Sequence, residues 1–591
     1  MARLILYNSL SEYLRLLERN RSLVRIMEPV DPHLVAPALA VIAYRRGGPA
    51  FIVLHPKGST VPLAMNIFGR QQHIEWALGR HPAQIGQELL AALEDLVTPS
   101  LSTLWKHRSQ LSRAFAMRPG RMRPAGPCNL DCRAGLDELP IVKCWPQDSG
   151  PFITWPLVLT RHPQTGGRNL GTYRLQKNGP FETGMHWQIQ KGAGFHYYEA
   201  EQRGQALPVT VILGADPVLM IASILPLPEN VDEIAFAGYL RGAPVPMMET
   251  TPVHGAVPAS AEILLQGEVP PRERKEEGPF GDHFGHYSRR EPWPVLRIAS
   301  VRRRPDAVYP ATIVGPPPLE DARLGDAVQE MLSPLLKLTH PEVRSLWSYM
   351  ETGFHSLAVV SVQNRYHKES MKAALALLGE GQFSLTKCLV VVDEHTDPRD
   401  FDAVATLWSR RFNAESDVRI IPDTAYDSLD FTSHKTHHGS KLVVDLSHPP
   451  HPVADSGPDG EPDLSSFAAR LGRFATYGGG ILVAQCQSRL AQSLMPELLT
   501  SSALGRIRVV VLVDSDIDPA DRVRMLWGWF TRFEPARDIR FARTDLYGAV
   551  PRYHGRMGFD ATFKTGYPDP LTLDPGAEKE ALRLWSKYLE S

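Results

Sequence analysis

The sequence predicts a multidomain protein that mixes α/β and α+β architecture. Three observations carry that prediction. The chain of 591 residues is too long for one core and suggests roughly four domains of about 150 residues each. Its middle third changes from alternating helix and strand patterns to frequent short strands. Its last third repeats itself. Composition is that of a soluble globular protein, with 43% hydrophobic and 22% charged residues. The balance of 64 basic against 65 acidic residues gives no electrostatic footprint for nucleic acid or an anionic membrane. The start reads as an amphipathic helix rather than a signal peptide, with Ser9 and Glu12 at capping-box spacing. The apolar run from Pro208 to Pro228 is broken by Gly214, Asp216 and prolines, so it does not read as a membrane span. Five cysteines make no disulfide framework and fit a reducing cytoplasm. Cys128, Cys132 and Cys144 match no strong zinc spacing, and buried or free thiols are the better reading.

Residues 1–120 predict a small α/β domain. Leu10, Leu14 and Leu17 form a helical stripe, and 23–26, 51–54 and 62–65 read as strands. Residues 82–96 read as a helix with proline in its first turn, where the missing N–H costs nothing. A Pro-, Cys- and Arg-rich segment leads into a second domain, 121–318. Strands are expected there at 154–160, 171–176, 185–190, 209–213, 261–268 and 295–301, with one helical stretch at 216–223, which suggests a β-barrel or sandwich. Residues 319–345 read as a linking helix with Leu324, Val328, Met331 and Leu335 on one face and a kink at Pro334.

The repeat occupies the remainder. Strand 357–363, the run ending Val-Val-Val-Asp393, Asp397-Pro398, Leu407-Trp408, Asp417-Val418-Arg419 and 441–445 recur in the same order. Their counterparts are 481–485, the run ending at Asp514, Asp518-Pro519, Leu526-Trp527, Asp538-Ile539-Arg540 and 556–560. The landmarks lie about 120 residues apart, an order best explained by duplication. Two α/β units follow, 346–447 and 471–591, joined by the Pro/Gly/Asp-rich linker 448–470.

Candidate chemistry concentrates in the middle domain. Glu277 and Asp282 bracket the turn Gly278-Pro279-Phe280-Gly281, in which Pro279 fixes one dihedral and the glycines permit others. Facing acids do not both ionise freely, so one is expected to hold a proton and donate it. Taken alone, after the charge run 272–277, the stretch reads rather as a solvated surface turn. Asn169, His186 and Glu233 offer a mixed O/N set suited to Mn²⁺ or Mg²⁺, against the plainer reading of a satisfied core histidine and two surface polar residues. Arg174 has the planar fork that grips a carboxylate. Lys191-Gly192-Ala193-Gly194 suits close approach of a phosphate, or is an ordinary turn.

In order along the chain, Asn-Leu-Gly-Thr-Tyr-Arg (169–174), Met-His-Trp (185–187), Leu-Gly-Ala-Asp-Pro (213–217), Ala-Phe-Ala-Gly (235–238), Val-Pro-Ala-Ser-Ala-Glu-Ile (257–263), Glu-Gly-Pro-Phe-Gly-Asp-His (277–283), Gly-Gln-Phe-Ser-Leu-Thr-Lys (381–387) and Gly-Ser-Lys-Leu (439–442) resemble the UbiD-type decarboxylases. So does Leu-Val-Arg-Ile-Met-Glu-Pro-Val-Asp-Pro at 23–32. The resemblance implies a reversible, non-oxidative decarboxylase of aromatic or α,β-unsaturated acids that uses prenylated FMN supplied by a flavin prenyltransferase. It implies a split β-barrel of the flavin-reductase kind at 121–318 and a homodimer or larger homo-oligomer. It further implies Mn²⁺ (or Mg²⁺) on Asn169, His186 and Glu233, and K⁺ near the carbonyls of Ala222, Ser223 and Leu225. Thr172, Tyr173, Arg174, Met185, His186, Trp187, Lys191 and Gly192 would line the cofactor, with Lys387 approaching from the C-terminal domain. Arg174, Glu277 and Asp282 would form the catalytic trio, Asp282 as proton donor and Glu277 as partner of Arg174.

The sequence departs from the pattern at Gln190-Lys191-Gly192-Ala193, where many relatives carry His-Arg-Gly-Gly. The basic loop 433–438 offers His437 or His438 to a phenolic hydroxyl; a solvated loop is an equal reading. Hydroxylated quinone precursors, a dihydroxynaphthoate (menaquinone pathway) or a polyprenyl-hydroxybenzoate (ubiquinone pathway), lead as expected substrates, ahead of a catabolic aromatic acid. A non-catalytic flavin-binding assembly protein and a metal-dependent hydrolase are the alternatives. The hydrolase lacks a base motif such as His-Glu-x-x-His.

Overall fold

The computed structural model describes residues 7, 9–97, 100–118, 120, 122–123, 128–188, 191–228, 231–433, 435, 437–448 and 461–590. It divides into two compact units, Met1–Met331 with Pro570–Ser591, and Leu332–Asp569. The final segment, expected to end the second repeat, instead belongs to the first unit.

In the first unit, Ser9 caps the helix Leu10–Arg19, its hydroxyl accepting from the Glu12 N–H, and Leu10, Tyr13, Leu14 and Leu17 are buried. The strands Leu23–Ile26, Ala50–Val53 and Leu63–Met65 form one sheet in that order, completed by Tyr309–Pro310. The helix Val35–Arg45 is apolar nearly all round and is buried accordingly. On it packs the helix Pro575–Leu584 from the end of the chain. Leu571, Ala577, Ala581, Leu584, Trp585 and Leu589 share one core with Ile26, Val30 and Leu39.

The middle of the unit is a ten-stranded sheet among the described residues. Its main path runs Phe152–Ile153, Leu175–Gly179, Glu182–Gly184, Glu291–Arg303, Ile263–Val269, Leu207–Leu213, Pro156–Arg161, Arg168–Thr172. Every pairing is antiparallel; Val211, for example, lies opposite both Val158 and Leu265. Arg168–Thr172 ends this path, while the next strand in the chain, Leu175–Gly179, lies near its other end. Only Tyr173 and Arg174 join them. Two residues span at most roughly 10 Å, so the sheet must curl until its ends approach, giving a half-barrel. Arg174 sits at that seam. The strand expected at 171–176 is therefore broken at the residue it was expected to carry. The strand expected at 185–190 lies earlier, at Glu182–Gly184, and Met185-His186-Trp187 leaves the sheet; Gln190 lies outside the described residues. Two helices not expected from the sequence follow, Gly192–Gln202 and Glu233–Arg241, the second capped by Asp232. The linking helix is α-helical only over Glu320–Leu332 and tightens to a 3₁₀ helix, Ser333–Leu338, where Pro334 stands.

The second unit contains the two copies, and their topology is the same. The first sheet runs Val343–Ser348, Leu357–Val362, Cys388–Asp393, His438–Asp445, Val418–Ala425; the second runs Leu471–Tyr477, Ile481–Cys486, Val509–Val513, Val550–Ala561, Ile539–Tyr547. The inner pairings are parallel and both edges antiparallel in each. Equivalent side chains repeat their contacts. Tyr349 OH donates to the Pro398 carbonyl at 2.7 Å, and Tyr477 OH to the Pro519 carbonyl at 2.6 Å. Asp400 and Asp521 cap equivalent helices, which aligns Trp408 with Trp529 rather than with Trp527 as the Leu-Trp pairs suggested. Strand register likewise places Arg508 where the first copy has Lys387. The two copies share one core, and Trp408 meets its own equivalent Trp529 with ring centroids 5.9 Å apart. Like meeting like is the signature of a twofold contact.

Candidate active site

The turn at 277–288 is held from several sides. The Gly278-Pro279 peptide is cis and Gly278 has φ +95°, a conformation glycine adopts without strain. The Gly278 N–H donates to Gln176 Oε1 at 2.9 Å, and the Gly281 N–H to Asp148 Oδ1 at 2.7 Å. Phe280 and Ser288 bond across the turn through the Ser288 N–H and the Phe280 carbonyl at 2.8 Å. A Cβ on Gly281 would lie 2.1 Å from the Trp145 ring, so only glycine fits.

This frame brings the predicted trio together. Arg174 Nε donates to Glu277 Oε1 at 3.0 Å and its NH1 to Asp282 Oδ2 at 2.6 Å. Its NH2 reaches Ser288 Oγ at 3.3 Å, and the guanidinium lies 4.6 Å from the centre of the Phe280 ring. Glu277 and Asp282 are only 2% and 5% exposed. Neither is therefore the solvated acid of a surface turn. Burial alone would raise Glu277, but His186 and Arg174 beside it outweigh that and hold it below the usual carboxylate range. Burial is likewise outweighed at Asp282, by His283 and Arg174. The expectation that one acid keeps its proton is thus not met in this arrangement: the cation between them lets both ionise. His283, quoted in the motif without a role, contacts Asp282 Oδ1 through Nδ1 at 2.6 Å.

His186 Nδ1 lies 2.9 Å from Glu277 Oε1, and its ring lies tilted by 33° against that of Trp293, centroids 3.8 Å apart. Burial and Arg174 push its pKa down, so the ring is neutral and donates from Nδ1. Its Nε2 is buried without a hydrogen-bond partner. Asn169 and Glu233 are joined, Nδ2 to Oε1 at 2.9 Å, and Glu233 Oε2 accepts from the Leu170 N–H at 2.8 Å. Burial raises Glu233 to about 7. Among the described residues no hydrogen bond brings His186 to that pair. Glu277 Oε2 also lacks a partner, and a Cβ at Gly184 would stand 2.8 Å from it.

Around this centre, Tyr173 packs edge-on against Trp187 at 5.3 Å and its OH accepts from the Ala193 N–H. Met185 is fully buried. Lys191 and Gly192 open the helix Gly192–Gln202, and a Cβ on Gly192 would lie 2.7 Å from Asn169 Nδ2. Thr172 Oγ1 and Ser223 Oγ are 3.0 Å apart. The Ala222 carbonyl accepts from the Leu225 N–H, and the Leu225 carbonyl from the Leu227 N–H.

The remaining predicted residues lie in the second unit. Lys387 is 1% exposed; its Nζ pairs with Asp430 Oδ2 at 2.7 Å and donates to the Phe533 carbonyl of the other copy at 3.1 Å. Lys441 donates to the carbonyls of Ser384, Thr386 and Ala425, as its equivalent Arg556 does to those of Leu499, Ser501, Gly505 and Ile507. The Gly-Ser-Lys-Leu motif thus ties strand ends together. His438 pairs with Asp423 at the surface, and His437 Nδ1 is buried without a partner. His434 lies outside the described residues. All five cysteines are free and buried, and the described residues contain no cluster of three His, Cys, Asp or Glu able to hold a metal. No helix among them is long and apolar enough to cross a membrane.

Comparison with known proteins gives the family. Three family models match: the N-terminal domain of 3-octaprenyl-4-hydroxybenzoate carboxy-lyase over 14–93, its Rift-related domain over 121–317, and its C-terminal domain over 322–446 and 476–561. A Chlamydia pneumoniae protein, named as one of the subunits of a 4-hydroxybenzoate decarboxylase, is 35% identical, covering 98% of both chains. The closed form of vanillic acid decarboxylase from Sedimentibacter hydroxybenzoicus superposes with a TM-score of 0.67 at 26% identity, over 78% of this chain and 98% of its own. The UbiD-class enzyme HmfF from Pelotomaculum thermopropionicum, in complex with FMN, gives 0.61 at 25% identity, over 77% and 98%. The chain belongs to the UbiD family of carboxy-lyases.

Proposed function

We propose that this chain catalyses the reversible, non-oxidative decarboxylation of an aromatic or α,β-unsaturated acid with prenylated FMN. A hydroxylated aromatic acid is the favoured substrate class, in keeping with the names of the Chlamydia pneumoniae and Sedimentibacter relatives; the quinone precursors are its leading members. One observation carries the reading: a buried guanidinium, Arg174, shared by two buried carboxylates at the seam of the half-barrel. A non-catalytic flavin-binding protein would not need that arrangement.

The residues present fit the cofactor and metal. The Lys191–Gly192 helix start offers backbone N–H groups and a cation to a phosphate, and Thr172, Tyr173, Met185 and Trp187 offer a largely apolar wall. Asn169, His186 and Glu233 would hold Mn²⁺ or Mg²⁺, which would give the bare His186 Nε2 a partner and favour the ionised form of Glu233. Ala222, Ser223 and Leu225 remain the proposed K⁺ carbonyls. Bringing Lys387 to the cofactor would require it to give up Asp430 and Phe533. When bound, the prenylated flavin supplies the electron sink for the carbon that loses CO₂.

Arg174 receives the substrate carboxylate and orients it through its planar fork. A carboxylate that takes NH1 removes one of the charges holding Asp282 ionised. Asp282 stays buried, so its pKa rises and it takes up a proton. CO₂ leaves without a proton, and Asp282 returns the one it holds to the carbon left behind. Glu277, anchored by Arg174 Nε and the His186 Nδ1–H, keeps the guanidinium aimed.

The test is co-expression with a flavin prenyltransferase, then absorption and mass spectra of the bound cofactor, and CO₂ release from a panel of aromatic acids. Asp282→Asn and Glu277→Gln should retain cofactor and lose turnover by at least 10²-fold, the usual worth of positioned acid–base groups. Failure to load prenylated FMN under conditions that load a known relative defeats the proposal.

A further inference from the structure

The end of the chain returns to the catalytic turn. Asp282 and His286 face each other, the Asp282 N–H donating to the His286 carbonyl at 3.1 Å and the Gly285 N–H to the Asp282 carbonyl at 2.9 Å. Those bonds use the inner side of the Gly285-His286 stretch. Its outer side is taken by the C-terminal segment: the Leu571 N–H donates to the Gly285 carbonyl at 2.9 Å, and Pro570 bridges His286 in antiparallel register. The backbone carrying Asp282 is therefore one hydrogen bond away from the last 22 residues of the chain, Pro570–Ser591.

That segment is firmly held at its far end. Leu571 is 5% exposed, and Ala581 and Leu584 are fully or almost fully buried. Trp585 fills the space over Gly48, where a Cβ would lie 2.5 Å from its ring, and Arg46 stacks on it at 5.4 Å. Arg583 and Lys587 pair with Glu28 at 2.9 and 3.3 Å. The strap thus has an anchored helix at one end and the catalytic turn at the other.

We propose that residues 570–589 are a positioning element for Asp282: the strap pins the outer edge of the turn, and Leu571 N–H is the group through which it acts. This rests on the catalytic role given above to Asp282. A carboxyl that must first lie against Arg174 and then reach a substrate carbon works only within a narrow range of positions, and a displacement of about 1 Å can cost 10²-fold in rate. A loop held on one side only would sample a wider range.

The full-length, cofactor-loaded enzyme tests this with two substitutions at one position. Leu571→Ala removes packing and keeps the N–H; Leu571→Pro removes both. Amide hydrogen exchange over 281–288 is measured beside kcat and KM for the acid. The expected result is faster exchange in that segment and a roughly tenfold lower kcat in Leu571→Pro relative to Leu571→Ala, with KM within about twofold. Equal exchange in the two variants overturns the strap. Faster exchange with unchanged kcat overturns the positioning role and leaves a structural one. Should Leu571→Pro not fold, Glu28→Lys, which repels Arg583 and Lys587, should raise exchange over 281–288 in the same way; no rise there counts against the proposal. The decarboxylase reading fails separately, by Asp282→Asn keeping its turnover.

Discussion

Arg174 decides the protonation state of its neighbours. Glu277 and Asp282 both lie below the usual carboxylate range, so the stability they contribute is present above about pH 4 and is lost as pH falls through their folded values. Arg174→Met reverses the sign. Without the guanidinium, burial and mutual repulsion raise both carboxylates against the remaining pull of His186 and His283, and the stability they contribute then falls as pH rises. The variant should be less stable by about 3–5 kcal/mol near pH 7.5, and its Tm should climb on acidification to about pH 5.5 by more than that of the wild type, whose climb comes only from raised acids such as Glu233. Thermal melts at the two pH values check this; a variant that climbs no more than the wild type would mean that Arg174 does not govern the pair. The trio itself was legible in the sequence because an ordered series of motifs surrounded it. Its ionisation was not, because the turn alone gives two facing acids and no sign of the guanidinium contributed from a hundred residues away. Ser288 and Gln176 were missed for a similar reason: each acts through one hydrogen bond with no pattern in the chain to announce it.

At the scale of elements, what the sequence misplaced lies where the sheet stops being regular. The alternating run at 185–190 reads as a strand, yet regular pairing ends at Gly184, the residue that lies against Glu277. Gly184→Ala places a methyl 2.8 Å from Glu277 Oε2. The carboxylate must move, and with it Arg174 Nε and the His186 Nδ1–H. We expect a loss of stability of about 1–3 kcal/mol. Turnover should fall by at least tenfold with cofactor retained, measured by steady-state kinetics on the loaded enzyme; wild-type kcat in this variant would show that Glu277 has slack. The helix Gly192–Gln202 was unreadable because its first turn, Gly-Ala-Gly, has the composition of a loop. The repeat shows the reverse case. Its order was plain from the strands and aspartates, but its tryptophans were paired wrongly because a Leu-Trp dipeptide occurs in each copy. Only the caps Asp400 and Asp521 fix the phase of the two helices.

For the whole molecule, the second copy closes a face of the first. Gly480 has a backbone any residue can adopt, but a Cβ there would lie 2.6 Å from Ser409 Cβ. Gly480→Leu should wedge the copies apart while leaving each sheet its own hydrogen bonds. The expected outcome is a Tm lower by about 5 °C or more and a concentration-dependent rise in mass by light scattering, as the uncovered apolar faces find those of other chains. A variant unchanged in both would show that the contact carries little. Deleting everything after Val453 is a poorer test of the second copy, since it also removes Leu571, Ala581 and Trp585 from the core of the first unit. That dependence was invisible in the sequence, where the last residues simply continue the repeat.

The same return of the chain has a consequence during synthesis. Arg583 meets Glu28 across 555 residues of sequence. The catalytic unit cannot complete its core until the ribosome has made all of the second unit, an interval on the order of tens of seconds at ordinary elongation rates. Throughout it, the apolar face of the helix Val35–Arg45 waits uncovered. During that interval the uncovered helix is open to premature association, which the later arrival of Leu571, Ala581 and Trp585 ends.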